Sequence, residues 1–235
     1  ILNGAEPENT TVDQSSNVGS RSNSSMGSKS SLTNQIPGEN PGILPISLAE
    51  LSILLDVDFS KINTIDLQGS RLYGTLNTES DWDIVVIGDI PNYIPEALKI
   101  KNKYIFKEVI TSNGNKIQAN IFSISDFNKT LEDHYLPSLE VIFHPDNFKI
   151  LNKTNYSQKI DNAKLIESAL NESEFQWVKA KEIIDAGELD VYLALKRIWH
   201  SYRYLIFTEQ ILKYGKIIDF SAANYLYMDI INNRF

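Results

Sequence analysis

An α+β fold is what this sequence predicts: a small mixed sheet with flanking helices, followed by a C-terminal helical subdomain. Three observations carry it. Short apolar runs rich in Ile and Val lie between turn signals from residue 62 to 124. A Gly69-Ser70 turn directly follows the first of these runs. From about Asp161 to the end, apolar residues recur at three- and four-residue spacing, which is the helical period. The 235 residues are 42% hydrophobic and 22% charged, enough to build one or two compact domains. Residues 46–150 are expected to form the core and 151–235 the helical subdomain.

Residues 1–45 are rich in Ser, Asn, Gly and Thr and carry almost no apolar periodicity. Such a stretch buries too little surface to offset its ordering entropy, so a disordered tail is expected there. Residue 1 is Ile rather than Met, so the chain reads as a fragment or a trimmed product. Ser47 is placed to cap a helix through residue 55, with Glu50 completing a capping box. Ile62–Leu67 reads as a strand feeding the Gly-Ser turn. Residues 71–78 are expected to be a helix or loop crossing to a second strand at 83–90. Pro91 and Pro95 mark a loop.

Residues 104–111 and 116–124 flank Ser112-Asn113-Gly114-Asn115, a hairpin signal. Ser125 is expected to cap a helix through 133, and another helix covers 136–143. Three further helices follow, at 163–170, 175–186 and 192–214, with Gly215 closing the last as a C′ glycine. Ser221 is expected to cap a final helix through 231. The chain shows no internal repeat.

The chemistry-bearing stretch runs from Gly69-Ser70-Arg71 to Asp81-Trp82-Asp83. Asp81 and Asp83, spaced i, i+2 at the start of a strand, share one face. Two such carboxylates repel unless a cation sits between them, and hard oxygen ligands suit Mg²⁺. The backbone N–H groups at Gly69 and Ser70 can receive phosphate oxygens, because glycine lets the main chain approach closely. Gly-Ser alone is a turn and Asp-x-Asp alone a solvated strand end; in this order and spacing, between apolar runs, they are far more specific.

At these residues, with Gly74-Thr75 and Ser80, the chain resembles the polymerase beta-like nucleotidyltransferase superfamily. The resemblance extends more softly over Lys196-Arg197-Ile198-Trp199-His200-Ser201-Tyr202-Arg203 and residues 215–224, and so covers roughly 46–235. It implies Mg²⁺-dependent transfer of a nucleoside monophosphate from an NTP to an acceptor hydroxyl, with release of pyrophosphate. Asp81 and Asp83 would hold metal, while Gly69, Ser70, Arg71 and Ser80 would lie on the nucleotide. The acceptor, a small molecule, a protein or an RNA end, stays open.

The resemblance also implies a third carboxylate on a later strand, which would complete the metal shell and act as base. Counting back from Phe127 puts Gln118 at that position, beside Asn120 on the same face. An amide oxygen can ligate Mg²⁺ but cannot take a proton. Substrate phosphate and water complete the shell, or Glu108 on the neighbouring strand substitutes, or the chain is a silenced nucleotide-binding or regulatory protein.

Lys196, His200 and Arg203 recur at i, i+4 and i+7 on one helical face. That stripe reads as a clamp on the triphosphate or as a solvated face. Arg71 contacts phosphate or caps its turn. Trp82 is expected to point into the core, and His134 and His144 to be structural or surface residues. Three His and no Cys exclude a thiolate zinc centre. A formal charge of −8 argues against extended duplex DNA as partner. No apolar run is long enough to span a bilayer and no signal peptide is evident, so no membrane partner and a cytoplasmic location are expected.

Overall fold

The computed structural model describes residues 43–78, 80–90, 99–100, 103–187 and 190–232. The tail expected over residues 1–45 lies outside the described residues up to residue 42, as does the loop at Pro91 and Pro95. Leu44 is buried against the core. The first helix, α1 (Leu48–Leu55), starts where Ser47 accepts the Glu50 N–H at 3.1 Å. Only that half of the expected capping box forms, since the Glu50 carboxylate accepts from the Ser112 N–H and hydroxyl instead.

Six described strands follow: β1 (Ile62–Leu67), β2 (Trp82–Gly88), β3 (Lys99–Ile100), β4 (Tyr104–Ile110), β5 (Lys116–Ser123) and β6 (Lys149–Asn152). They form one sheet in the order β3-β4-β5-β2-β1-β6, with β2 and β5 parallel and the other neighbours antiparallel. The fold is thus α+β around a mixed sheet, as the sequence predicts. β6 has no sequence signal: Lys149-Ile150-Leu151-Asn152 is a short edge strand whose side chains are at best half-buried.

Strand alternation assigns the two faces. Trp82, Ile84 and Val86 of β2, with Ile117, Ala119 and Ile121 of β5, pack with Leu51 and Leu55 of α1. Val85, Ile87 and Phe122 face the other way, into a core shared with the later helices. Asp83, Gln118 and Asn120 have the same parity and therefore face the helical side.

That side is built from α2 (Gly69–Tyr73), α3 (Ile124–Glu132), α4 (Leu136–Ile142), α5 (Asn162–Asp185), α6 (Val191–Tyr214) and α7 (Asn224–Asn232). Three expected boundaries need correction. The α3 cap is Ser123, whose hydroxyl accepts the Asp126 N–H, and Ser125 only exchanges a hydroxyl contact with it. The break expected between residues 170 and 175 is absent, and α5 runs unbroken. Its polar Glu172, Ser173 and Gln176 are buried, which interrupts the apolar period without interrupting the helix. The Ser221 side chain does not cap α7: its N–H and hydroxyl both bond to Asp219, and only its carbonyl accepts the N–H of Asn224, where α7 begins.

Gly215 ends α6 in the left-handed region at φ 72°, as expected. His134 and His144 are both buried, hence structural rather than surface residues. His134 Nε2 accepts the Asp161 N–H at 2.8 Å, and His144 Nδ1 lies 3.2 Å from Asp66.

Candidate active site

The site begins at the junction of β1 and α2. Gly69 adopts φ 65°, a conformation that side chains disfavour. A second constraint is stronger, because a Cβ at Gly69 would stand 1.8 Å from Asp83 Oδ2. The Asp83 carboxylate therefore rests directly on the Gly69 backbone. The Gln68 N–H donates to the Asp83 carbonyl at 2.8 Å and locks the turn onto β2. Glycine is required here by the neighbouring acid more than by its own torsion.

The register places three polar residues side by side. Asp83 pairs with Gln118 across the parallel β2–β5 ladder, and Gln118 pairs with Glu108 across β4–β5. Gln118 Nε2 donates to Asp81 Oδ2 at 3.0 Å and to Glu108 Oε2 at 3.1 Å. Lys116, two residues earlier on the same face of β5, lies 2.9 Å from Glu108 and 3.4 Å from Asp81. The hydrogen bond to Lys116 lowers the Glu108 pKa, and the same bond raises that of Lys116.

Asp83 differs from this solvated rim. Burial pushes its pKa from 3.8 to about 6, and Asp81 adds to the rise, against the opposing charges of Lys196, Arg71 and Lys116. A mostly buried carboxylate whose neighbouring cations do not restore its acidity is short of positive charge. The residues fit an Mg²⁺ ion on that ground, since Mg²⁺ is commonly held by one or two carboxylates with phosphate and water supplying the rest. Among the described residues, no group of three or more His, Asp or Glu is placed to hold a metal without such help.

Gly69, Ser70, Ser80, Asp81, Asp83, Gln118, Lys196, His200 and Arg203 all line one cleft of about 680 Å³. That volume lies within the roughly 300–1,000 Å³ typical of small-molecule sites. Arg71 and Glu108, both singled out in the sequence, stay off the lining. Arg71 is buried, with its guanidinium 3.4 Å above the Trp82 ring, and Trp82 itself points into the core as expected. Ser80 closes a turn, its hydroxyl donating to Asn77 Oδ1 and accepting the Asn77 N–H, both at 3.0 Å.

The three residues of the α6 stripe divide their labour differently from a uniform cationic clamp. Lys196 is the one whose charge acts most on Asp83. Burial, reinforced by Arg203 and Lys196, holds the His200 pKa well below 6.5, so its imidazole is neutral. Arg203 is buried; burial favours its neutral form, but Glu140 and then Tyr73 override this and keep it charged. It lies 3.5 Å from Glu140 and stacks 3.8 Å from the Tyr73 ring, while the Tyr73 hydroxyl donates to Glu140 at 2.6 Å.

Sequence reasoning missed Lys116 and Glu140. Lys116 was accessible through strand parity with Gln118, and Glu140 as the lone charged residue of α4.

No family model matches this chain, and no curated protein matches it. Among solved structures, the chain is similar to a nucleotidyltransferase-like protein from Exiguobacterium sibiricum, at 10% identity and a TM-score of 0.32, over 74% of this chain and 60% of that one. It is also similar to an aminoglycoside 6-adenyltransferase from Bacillus subtilis, at 12% identity and a TM-score of 0.24, over 77% of this chain and 75% of that one.

Proposed function

We propose that this chain is a Mg²⁺-dependent nucleotidyltransferase that moves a nucleoside monophosphate from an NTP to an acceptor hydroxyl. The observation that carries the reading is Asp83, mostly buried on the Gly69 backbone with its pKa raised to about 6, inside a cleft of about 680 Å³. A protein accepts such a destabilised carboxylate where a ligand supplies the missing charge.

Asp81 and Asp83 would hold the metal, which would neutralise triphosphate oxygens and polarise the reacting phosphorus. The Gly69-Ser70 backbone receives phosphate oxygens, and Lys196 adds a fixed positive charge from the opposite wall. His200, neutral and on that wall, offers hydrogen bonding without charge. Glu108, which accepts a hydrogen bond from Gln118, would take the proton of an acceptor hydroxyl, because Gln118 cannot. Gln118 turns its amide N–H groups toward Asp81 and Glu108; rotating that amide would present its oxygen instead.

The second reading, a nucleotide-binding protein without transfer, rests on Gln118 itself. Incubation with α-labelled NTP, Mg²⁺ and candidate acceptors separates the two. Label reaching an acceptor, with pyrophosphate released, supports transfer. Mg²⁺-dependent binding of nucleotide with no label transferred to any acceptor class supports the silent reading.

A further inference from the structure

The helices α5 and α6 carry a pattern that the candidate site does not use. They pack as an antiparallel pair, since Ser173 bonds to Ser201 while Gln176, further along α5, bonds to Arg197, further back along α6. Each helix carries a heptad-like strip in which small buried residues alternate with large apolar ones. The small set, Ser173 and Ala180 on α5 and Ala194 and Ser201 on α6, is buried.

The large set stands outward. Leu170, Trp177 and Ile184 recur every seven residues on α5 and are 57%, 56% and 56% exposed. Val191, Ile198 and Leu205 recur every seven residues on α6; Val191 is 53% exposed, Leu205 39%, and Ile198 is half-buried. The antiparallel register sets Leu170 level with Leu205, Trp177 with Ile198, and Ile184 with Val191. The result is a three-rung apolar seam along the outer side of the helix pair.

This seam is larger than ordinary surface scatter. Its exposed apolar area is on the order of several hundred Å², comparable with the ~800 Å² per partner of a standard interface. An a/d strip with its large positions unburied is half of a coiled-coil packing arrangement.

We propose that a second copy of this chain covers the seam, forming an isologous dimer through a four-helix bundle. Charge complementarity selects this occupant. Glu174 and Lys181 are exposed, seven residues apart, and flank the Leu170–Trp177–Ile184 strip on one side. A two-fold axis beside Trp177 runs α5 antiparallel to its copy. It sets Glu174 of each protomer against Lys181 of the other, so the interface satisfies itself twice. The dimer is independent of the chemistry proposed for the cleft.

Sedimentation equilibrium of the full chain tests it. The wild type is expected to dimerise in the micromolar range, and Trp177→Glu to be monomeric at every concentration with unchanged helical circular dichroism. Glu174→Lys should weaken association about tenfold, and adding Lys181→Glu should restore it. These two exposed sites keep the test decisive even where Trp177→Glu unfolds the protein. A monomeric wild type overturns the proposal, whether the seam is bare or covered by residues 1–42. A dimer indifferent to Trp177→Glu, or a charge swap that fails to restore association, overturns it as well.

Discussion

Replacing Asp83 by Asn should stabilise the metal-free protein at neutral pH while destroying its proposed function. The folded-state pKa of about 6 lies above the ordinary 3.8, so the folded protein holds that proton more tightly than the unfolded chain does. The stabilisation from protonation is fully present below pH 4 and is lost as pH rises through 6. Above pH 7 the ionised carboxylate then costs the fold roughly 3 kcal/mol, at about 1.36 kcal/mol per pH unit between the two values. Asn keeps the shape against Gly69 and removes the charge.

In EDTA, Asp83→Asn should therefore be up to about 3 kcal/mol more stable than wild type at pH 8 by urea unfolding. In melting temperature this is roughly 6–12 °C for a chain of this size. The advantage should shrink steadily toward pH 4, where both chains are uncharged at this position. Added Mg²⁺ with nucleotide should narrow the gap at pH 8 by stabilising only the wild type. A variant that is less stable at pH 8, or whose advantage does not vary with pH, refutes the reasoning that burial has left this carboxylate short of counter-charge.

Other outcomes follow from the same geometry. Asp81→Asn should abolish Mg²⁺-dependent transfer too, measured with α-labelled NTP, but without the stability gain, because Asp81 sits on the solvated rim with Lys116 and Gln118. Glu108→Gln should cost on the order of a hundredfold in transfer rate if Glu108 is the base, while Gln118→Asp should change it little; the opposite pattern moves the role to position 118. Gly69→Ala should fail to bind nucleotide by equilibrium dialysis even where it folds, since its Cβ would occupy the place of the Asp83 carboxylate. Arg203→Met should lower unfolding stability by about 3–5 kcal/mol, because it strands the buried Glu140 without its cation.

The parts of the fold that were legible in the sequence are those written in short-range periodicity. β1, the Gly69-Ser70 turn, β2 and the 104–123 hairpin each join an apolar run to a turn residue whose backbone geometry is nearly obligatory. Elements set by tertiary contact were not legible. β6 is an edge strand that owes its existence to β1, and α5 hides its continuity behind polar residues that face inward.

The same division runs through the site. Asp81, Asp83 and Gly69 could be placed because strand parity and a turn dictate their positions. The character of the α6 stripe could not, since i, i+4, i+7 spacing does not reveal that Arg203 is tied to Glu140 or that burial keeps His200 neutral. Lys116 stood in plain view two residues before Gln118, but its significance needs the β4–β5 register that brings Glu108 alongside.

The claim that nucleotide and metal meet on the Asp81–Asp83 face is tested most directly by calorimetric titration of nucleoside triphosphate into the full chain. The titration is run with Mg²⁺ or with EDTA, in wild type and in Asp83→Asn at pH 7.5. The account predicts saturable binding in wild type that requires Mg²⁺, and at least a hundredfold loss of affinity in an Asp83→Asn variant that remains folded and is more stable than wild type. Wild-type binding that survives EDTA, or an Asp83→Asn variant that binds Mg²⁺ and nucleotide as tightly as wild type, would contradict it.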